Sequence, residues 1–470
     1  MRDFVIFFVN GKEHTVRDER AFTTLSRFLR AGQRETGTKI VCEEGDCGAC
    51  TVLVGRQENG TIAYRPVNSC IQFLYQLDCT HIVTVEGLCR EELSPVQEAM
   101  IRCHGAQCGY CTPGFVVAMT AIHESGEDLT EQTVRDGLTG NLCRCTGYEP
   151  IIKAALEIGQ GSDRSIEEIY PSRPMIDSFA RVANEPVTVE VEGRMFHRPT
   201  DLPSAARFRS EHEGTVIVQG GTDVGVLCNK RGLSPTAVMT LDGLDGLDEM
   251  RIDNGVMIVG ARVTLSALEA FVKDRLPQLH DMMILFGSPQ IRASGTLAGN
   301  IANGSPIADT LPFLFVMEAR LELTGADGTR VVEINAFYKG YKTLDLEPDE
   351  IITRVFAPLP SKNEILRLYK ISKRKHLDIS TFTAAMLMTR SNGSIASMRI
   401  AYGGVAPVVL RLPRTEAFLS GKAFAFGSFE EAGEIARGEI TPISDVRGSA
   451  EFRSQLAENI LKKFYYEVAG

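Results

Sequence analysis

Apolar and polar residues alternate at the start of the chain in a way that predicts strands. Apolar residues fill positions 4–9, a second short strand is predicted at 13–17, and Asn10-Gly11 between them is typical of a type I′ hairpin. Helical spacing follows the hairpin, at Leu25, Phe28 and Leu29. A further strand is predicted at Thr51–Val54. These elements predict a small β-grasp domain that ends near residue 88.

The pattern becomes helical after this point. Ser94-Pro95-Val96-Gln97 combines an N-cap, a proline at the first helical position and a capping-box partner. Helices are then predicted at 95–103, 114–125, 131–139 and 150–159. We therefore expect an all-helical second domain over 89–160.

The rest of the chain predicts a linker followed by a mixed α+β region. Residues 161–190 contain glycine, serine and three prolines with little periodicity, which favours a linker over the surface. From 191 to 470, short apolar strands alternate with helices and glycine turns. A length of 470 residues fits about three domains.

Composition and charge narrow the class of protein. The 44% hydrophobic and 23% charged residues are ordinary for a globular protein. A net charge of −10 argues against nucleic acid or an anionic membrane surface as partner. No apolar stretch is long enough to span a bilayer, and residues 4–9 are too short for a signal peptide. Cysteines left reduced in tight groups favour a cytoplasmic location.

Eight of the twelve cysteines form two groups. The first group has the plant-type ferredoxin spacing of a [2Fe–2S] cluster, with ligands Cys42, Cys47, Cys50 and Cys70. Gly45 and Gly48 would let the loop fold tightly around a cluster. A structural zinc site is the alternative, because C-x2-C pairs also bind zinc.

The second group predicts another four-thiolate site. It consists of the pairs Cys108-x2-Cys111 and Cys143-x-Cys145. Both pairs lie just before a predicted helix, whose N-terminal end would place partial positive charge near an anionic cluster. The remaining cysteines have no spacing partner, and most are predicted to be small buried residues: Cys79, Cys89, Cys103 and Cys228.

A glycine turn after an apolar strand could bind a nucleotide cofactor. Val216–Val218 runs into Gln219-Gly220-Gly221-Thr222-Asp223. Consecutive glycines let backbone N–H groups approach a pyrophosphate, and Thr222 adds a hydroxyl. On this stretch alone, a tight strand–helix turn is the simpler interpretation. The stretch is not G-x-G-x-x-G, so a Rossmann domain is not indicated.

Two other stretches carry polar chemistry. Residues 286–309 are dense in small and hydroxyl side chains, which suits either a cofactor pressed against backbone or a turn-rich connection. Residues 369–375 place several cations beside Asp378, and such a run is ordinarily a solvated face.

The motifs together resemble the iron–sulfur/FAD subunits of the molybdenum hydroxylase family over essentially the whole chain. The most specific are residues 44–51 (EGDCGACT), 107–114 (QCGYCTPG) and 141–148 (NLCRCTGY), and 299–301 with 305–307 are moderately specific. The resemblance implies a multidomain α+β fold. Its parts would be a plant-type ferredoxin domain (1–88), a four-helix [2Fe–2S] domain (89–160), a linker (161–190), a two-part FAD-binding domain (191–365) and a small C-terminal α+β domain (366–470).

The resemblance also implies the FAD-contacting residues. Phe286 matches an aromatic residue beside the isoalloxazine ring. The others implied are Ile217, Val218, Gln219, Gly220, Gly221, Thr222, Asp223, Val224, Thr296, Asn300, Ser305, Asp309, Ile352 and Lys370. The chain departs from the family at Gln219, where a smaller or aliphatic residue is common, and at Leu377, where an acidic residue is common. The resemblance places Leu377 on the side where nicotinamide would bind, which leaves the acceptor open between NAD+ and oxygen.

The function implied is electron transfer, with no catalytic residue in this chain. A partner carrying molybdopterin would hydroxylate xanthine, another heterocycle or an aldehyde, and the two clusters and FAD would pass electrons to NAD+. Because the chain ends after the flavin domains, a separate large subunit is expected, in an α2β2 arrangement. Two alternatives stay open: a self-contained NADH-dependent reductase and a zinc-stabilised binding module.

Overall fold

The computed structural model describes residues 2–89, 92–158 and 165–470. Its contacts divide the chain into two compact units. The first contains residues 1–245 and 288–295, and the second contains residues 246–287 and 296–470. The predicted FAD-binding range, 191–365, is therefore shared between the units.

The first unit begins with a five-stranded mixed sheet in the order β2-β1-β5-β3-β4. Its strands are β1 (Val5–Val9), β2 (Lys12–Val16), β3 (Thr51–Glu58), β4 (Thr61–Asn68) and β5 (Thr80–Val83). Asn10 and Gly11 have φ of 50° and 81°, as a type I′ turn requires. The helix after the hairpin is short, α1 (Leu25–Arg27), and continues as a wider turn over Phe28–Gly32. The β-grasp prediction is confirmed.

The predicted helical domain follows. Its helices are α2 (Pro95–Arg102), α3 (Thr112–Glu124), α4 (Glu131–Gly137) and α5 (Glu149–Leu156). Ser94 and Gln97 form the predicted capping box at the start of α2. Phe115, Val134 and Ile151 form part of one buried core with Leu53 of β3. Residue 159, the end of the last predicted helix, lies outside the described residues.

The prediction of an irregular surface linker is wrong for residues 165–180. This segment forms α6 (Ile166–Ile169) and α7 (Ser172–Ala180), and residues 187–190 of the predicted linker belong to the strand Val187–Val191. Met175 and Phe179, one helical turn apart, are buried, and the Phe179 ring meets Phe8 edge-on at 5.6 Å. Pro171 precedes α7 as its N-cap, so this proline marks a helix start, not irregular chain. Residues 161–164 of the predicted linker lie outside the described residues.

The first unit continues with a four-stranded sheet in the order β6-β7-β9-β8. Its elements are β6 (Val187–Val191), β7 (Arg194–Arg198), α8 (Leu202–Glu211), β8 (Val216–Ile217), α9 (Val224–Arg231) and β9 (Ala237–Met239). Since β8 and β9 pair in parallel, α9 serves as the crossover between them. The glycine turn lies between β8 and α9.

The second unit contains a five-stranded sheet in the order β10-β11-β16-β12-β13 and a two-stranded sheet, β14-β15. The strands are β10 (Met250–Asp253), β11 (Val256–Gly260), β12 (Arg320–Gly325), β13 (Gly328–Glu333), β14 (Tyr338–Gly340), β15 (Thr343–Leu344) and β16 (Ile351–Pro358). The helices of this stretch are α10 (Leu265–Val272), α11 (Pro277–Ile284), α12 (Pro289–Ser294), α13 (Leu297–Asn303), α14 (Leu311–Val316) and α15 (Ile334–Phe337). Of these, α12 belongs to the first unit.

The C-terminal part of the second unit is a four-stranded antiparallel sheet with helices. Its elements are β17 (Glu364–Ile371), β18 (Phe382–Ser391), β19 (Ser394–Gly403), β20 (Leu410–Arg411), α16 (Pro413–Leu419), α17 (Phe426–Arg437) and α18 (Ala450–Ala469). Phe382, Tyr402, Phe429 and Phe464 fill the core between sheet and helices. Among the described residues, no helix combines the length and apolar character needed to cross a bilayer.

Candidate iron–sulfur and flavin sites

The structure brings the four cysteines of the first group together. Cys50 and Cys70 are buried at 1% and 2% exposure, and Cys42 and Cys47 are half-buried. The Cys47 N–H donates to Cys42 Sγ over 3.4 Å. Hydrogen bonding from the Cys47 and Cys70 thiols lowers the pKa of Cys42. Four converging thiols on one loop and a neighbouring turn match the ligand set of a [2Fe–2S] cluster.

The two predicted glycines of this loop are required by close contacts. Gly45 and Gly48 have φ of 79° and 66°, the left-handed region that disfavours a side chain. A Cβ on Gly48 would lie 2.2 Å from the Gly140 carbonyl oxygen, and one on Gly45 would lie 2.8 Å from Ile71 Cδ1. The loop therefore fits a cluster wrapped closely by backbone.

The second group lies nearer the surface. Cys108 and Cys145 are exposed, with their sulfurs 3.6 Å apart. Burial and hydrogen bonding to Cys143 raise the pKa of Cys111 to about 12. Cys111 is the N-cap of α3, which confirms the predicted position before a helix start. The thiols thus meet as the pairs Cys108–Cys145 and Cys111–Cys143.

An unpaired hydroxyl supports a cluster at this second site. Thr112 Oγ1 is buried and has no hydrogen-bond partner in the part of the chain that the structure describes. Thiolate or sulfide sulfur of a cluster bound by Cys111 is a suitable acceptor for this hydroxyl. Within the described ranges, no group of three or more His, Cys, Asp or Glu side chains is arranged to hold a single metal ion.

The two cysteine loops contact each other inside the first unit. The Leu142 N–H donates to the Cys47 carbonyl oxygen over 3.0 Å. Next to it, Asn141 Nδ2 donates to the Gly48 carbonyl oxygen over 3.1 Å. Hydrogen bonds therefore join the loop that contains Cys47 to the loop that contains Cys143.

The remaining cysteines lie apart from these ligand pairs. The prediction that most are buried is wrong, because only Cys103 is buried, with its Sγ 3.0 Å from Glu157 Oε2. Cys79, Cys89 and Cys228 are half-buried.

The glycine turn of the first unit has the features of a phosphate-binding loop. A Cβ on Gly220 would lie 2.1 Å from the Ser294 carbonyl oxygen, and Gly221 has φ of 70°. The turn leads directly into α9, which begins at Val224. The first N–H groups of a helix lack intrahelical partners and attract anions. The backbone of Gly220 to Val224 therefore fits the predicted pyrophosphate.

Two of the predicted residues direct their side chains elsewhere. Val218 is 1% exposed and belongs to the apolar core of the first unit. Gln219 donates through Nε2 to Asp242 Oδ1 over 2.6 Å and accepts from the Leu241 N–H over 3.0 Å. The glutamine that departs from the family pattern thus stabilises the neighbouring turn.

The other predicted flavin residues lie in the second unit. Thr296 caps α13 by accepting from the Gly299 N–H over 3.0 Å, and Asn300 on that helix accepts from Thr310 Oγ1 over 2.6 Å. Ser305 follows in the next turn. Ile352 is on β16, which packs against α13, and Phe286 is half-buried just after α11.

The strongest polar contact of this set joins Asp309 and Lys370. Lys370 Nζ lies 2.5 Å from Asp309 Oδ2, with the two side chains 2% and 7% exposed. Ser380 Oγ donates to the other carboxylate oxygen over 2.5 Å. The interpretation of residues 369–375 as a solvated face is therefore wrong for Lys370, although Lys373, Arg374 and Lys375 are exposed.

Four family models together match most of the chain. Models described as "2Fe-2S iron-sulfur cluster binding domain" and "[2Fe-2S] binding domain" match residues 7–72 and 84–156. "FAD binding domain in molybdopterin dehydrogenase" matches residues 189–360, and "CO dehydrogenase flavoprotein C-terminal domain" matches residues 367–468. Both cysteine groups fall within iron–sulfur domains, so the zinc alternative is set aside.

Individual relatives are similar over different parts of the chain. Xanthine dehydrogenase of Drosophila pseudoobscura pseudoobscura is 29% identical over 99% of this chain, and aldehyde oxidase 4 of Cavia porcellus is 30% identical over 99%. The chain spans only 39% of the length of each. The solved structure of reconstituted CO dehydrogenase from Oligotropha carboxidovorans matches with 28% identity and a TM-score of 0.55, covering 57% of this chain and 94% of that chain.

Fold and sites together define an iron–sulfur flavoprotein oxidoreductase with two [2Fe–2S] domains and an FAD-binding domain. The matched domains and relatives fit the iron–sulfur and flavin part of a molybdenum hydroxylase. Sequence reasoning missed Asn141 and Gln290, whose amides lie between the cysteine loops. Asn141 begins the motif at residues 141–148 and Gln290 lies in the stretch 286–309, but neither pattern predicted that the two amides would be hydrogen-bonded.

Proposed function

We propose that the chain is the electron-transfer subunit of a molybdenum hydroxylase that acts as a xanthine dehydrogenase, converting hypoxanthine and xanthine to urate. Its partner would be a molybdopterin-binding large subunit, in an α2β2 assembly. When bound, the two clusters would move single electrons from that partner to FAD, which collects two and can deliver a hydride to NAD+.

The observation that carries the proposal is the hydrogen bond from the Leu142 N–H to the Cys47 carbonyl oxygen. It joins the backbone beside a ligand of the helical-domain cluster to a ligand of the plant-type cluster. Two one-electron sites held in such contact are suited to transfer in series. A storage or structural role for either site would not require this contact.

The direction of transfer is supported by burial. Cys108 and Cys145 are exposed, whereas Cys50 and Cys70 are enclosed by protein. The helical-domain site is thus accessible to a partner, and the plant-type site is suited to an inner position in the relay. Ile291 of α12, which follows the predicted flavin residue Phe286 in sequence, packs against Cys50, Cys70 and Ile71.

The residues of the flavin site would bind and orient the cofactor. Backbone N–H groups of Gly220 to Val224 would hold the pyrophosphate, since the turn leads into the start of α9. The buried Lys370 cation, fixed by Asp309, would place positive charge in the flavin-binding half of the second unit. We assign NAD+ as acceptor on the resemblance to xanthine dehydrogenases, which outweighs the departure at Leu377.

Purification of the native complex tests this function. We expect a large molybdenum-containing subunit to co-purify, and the complex to reduce NAD+ when given xanthine. Turnover of an aldehyde or another heterocycle in place of xanthine would reassign the substrate and leave electron transfer intact. Isolation of an active NADH-dependent reductase without molybdenum would instead favour the self-contained alternative.

A further inference from the structure

Asn141 lies between the two cysteine loops with its amide held in one orientation. It is 3% exposed, and its Nδ2 donates to the Gly48 carbonyl oxygen over 3.1 Å. Its Oδ1 accepts from Gln290 Nε2 over 2.8 Å. Reversing the amide would place its oxygen against the Gly48 carbonyl and its NH2 against that of Gln290. The Gly48 carbonyl, which can only accept, sets which way Asn141 faces, and Gln290 Nε2 holds that orientation by donating to Oδ1.

Gln290 lies on α12. This helix belongs to the first unit, although the segments before and after it in sequence belong to the second. The side chain is 1% exposed, and Nε2 also lies 3.3 Å from Thr51 Oγ1. Its Oε1 is buried and has no hydrogen-bond partner among the residues described. An unpaired buried oxygen is unfavourable, so an apolar side chain of similar length would serve packing better. The amide NH2 is the part of Gln290 that the site uses.

The hydrogen bond from Asn141 to the Gly48 carbonyl lies next to the first ligand set. The Gly48 carbonyl oxygen accepts from the Thr51 N–H at 3.0 Å and from Thr51 Oγ1 at 2.6 Å, in addition to Asn141. The neighbouring Cys47 carbonyl accepts from the Leu142 N–H. Hydrogen bonds around thiolate ligands and the solvent exposure of a cluster set its reduction potential.

We propose that Gln290 is a positioning residue for electron exchange between the two clusters. By holding Asn141 in this orientation, it keeps the Cys47–Gly48 backbone against the Leu142–Cys143 backbone. This fixes the separation of the clusters and the hydrogen bonding of the plant-type cluster. The inference rests on the proposed electron transfer but makes no use of the substrate or of NAD+.

The test is Gln290→Met in the full chain, with Gln97→Met as the matched control. Gln97 also makes two side-chain hydrogen bonds, to the Ser94 N–H and the Val85 carbonyl, but it lies at the capping box of α2. Anaerobic dithionite titration followed by paramagnetic resonance gives the potential of each cluster and the magnetic coupling between them.

We expect Gln290→Met to keep its iron but to change the equilibrium constant for electron sharing between the clusters about tenfold, which is 59 mV for a one-electron couple. The magnetic coupling should also change, and Gln97→Met should leave both values as they are. Unchanged potentials and coupling in an iron-replete Gln290→Met would overturn the proposal.

A second variant decides the matter if Gln290→Met loses iron. Asn141→Leu removes the donor to the Gly48 carbonyl without adding a charge beside the cluster. A shift in the plant-type cluster potential would support the proposal, and an unshifted potential would refute it. Because dithionite supplies the electrons, a failed turnover with xanthine and NAD+ leaves this result independent.

Discussion

The carbonyl oxygen of Gly140 lies 2.2 Å from the position that a Cβ on Gly48 would occupy. One glycine belongs to the loop of the first cysteine group, and the other directly precedes Asn141 of the second. The two loops can approach this closely only because Gly48 has no side chain.

Replacing Gly48 should therefore lower the free energy of unfolding by more than the strain of its left-handed backbone conformation alone. We expect Gly48→Ala to lower the free energy of unfolding by about 2–5 kcal/mol, combining the left-handed and overpacking costs. Gly60→Ala is the control, because Gly60 has φ of 83° and no atom of the described residues lies within 4 Å of its Cβ position, and about 1–2 kcal/mol is expected there. Urea denaturation measures both. Equal losses in the two variants would contradict the close contact.

Loss of one ligand should remove one cluster and leave the other. Cys70→Ser deletes a buried ligand of the plant-type site, so iron content should fall by about half, and one of two paramagnetic signals should disappear. Cys228→Ser, at a half-buried cysteine outside both groups, should keep both signals. If Cys70→Ser lost both signals while Cys228→Ser kept both, the two clusters would have to assemble as one cooperative unit.

The two clusters should differ in resistance to oxidation. Cys108 and Cys145 are exposed, whereas Cys50 and Cys70 are 1% and 2% exposed. Ferricyanide with a chelator should therefore bleach the helical-domain cluster first in the isolated chain. Time-resolved paramagnetic spectra after re-reduction would follow each signal. Simultaneous loss, or earlier loss of the plant-type signal, would contradict the order of burial.

His81 should make folding sensitive to acid. Burial lowers its pKa to about 3, and its Nε2 accepts from the Gly11 N–H over 3.0 Å. A proton on Nε2 would face that N–H. Below pH 6.5 the unfolded chain binds a proton that the folded chain excludes, so this contribution is complete above pH 6.5 and is lost as pH falls toward 3, at about 1.4 kcal/mol per pH unit.

Urea denaturation between pH 7 and 4.5 measures this slope. His81→Gln should reduce the loss of stability on acidification relative to the unmodified chain, even if it is less stable at pH 7. Parallel pH profiles for the two proteins would show that His81 does not contribute.

The buried pair in the second unit should matter for both stability and flavin content. Asp309→Asn leaves Lys370 charged and buried without its counter-ion, so we expect a loss of about 3–5 kcal/mol and of bound FAD. Glu249→Gln, which breaks the exposed pair with Arg251, should cost about 0–1 kcal/mol. Denaturation and flavin absorbance measure the two effects. Full flavin content in a folded Asp309→Asn would exclude this pair from the flavin site.

Local patterns in the sequence predicted much of the fold. Asn10-Gly11, the capping box at Ser94 and the position of Cys111 before α3 each depend on neighbouring residues, and each was confirmed. Cysteine spacing is also local, which is why both ligand sets could be named in advance.

The errors concern residues whose environment is formed by distant segments. Met175 and Phe179 have helical spacing but follow Pro171 and Pro174, and their packing near Phe8 shows that the segment is structured. Lys370 belongs to a charge run, and its burial depends on Asp309, 61 positions away. Gln290 meets Asn141 across 149 positions. No periodicity or motif in the sequence predicts these long-range contacts.

Helix α12 belongs to the first unit, whereas the chain before and after it belongs to the second, and this limits how the two units can be separated. The polypeptide passes between the units after residues 245, 287 and 295. Cleavage at any one of these junctions would leave at least one fragment that contains residues of both units, and three cuts would be needed to separate the units covalently. Truncation at a single point cannot yield either unit whole, so expression of one unit alone calls for a linker in place of the intervening segment, or for co-expressed fragments.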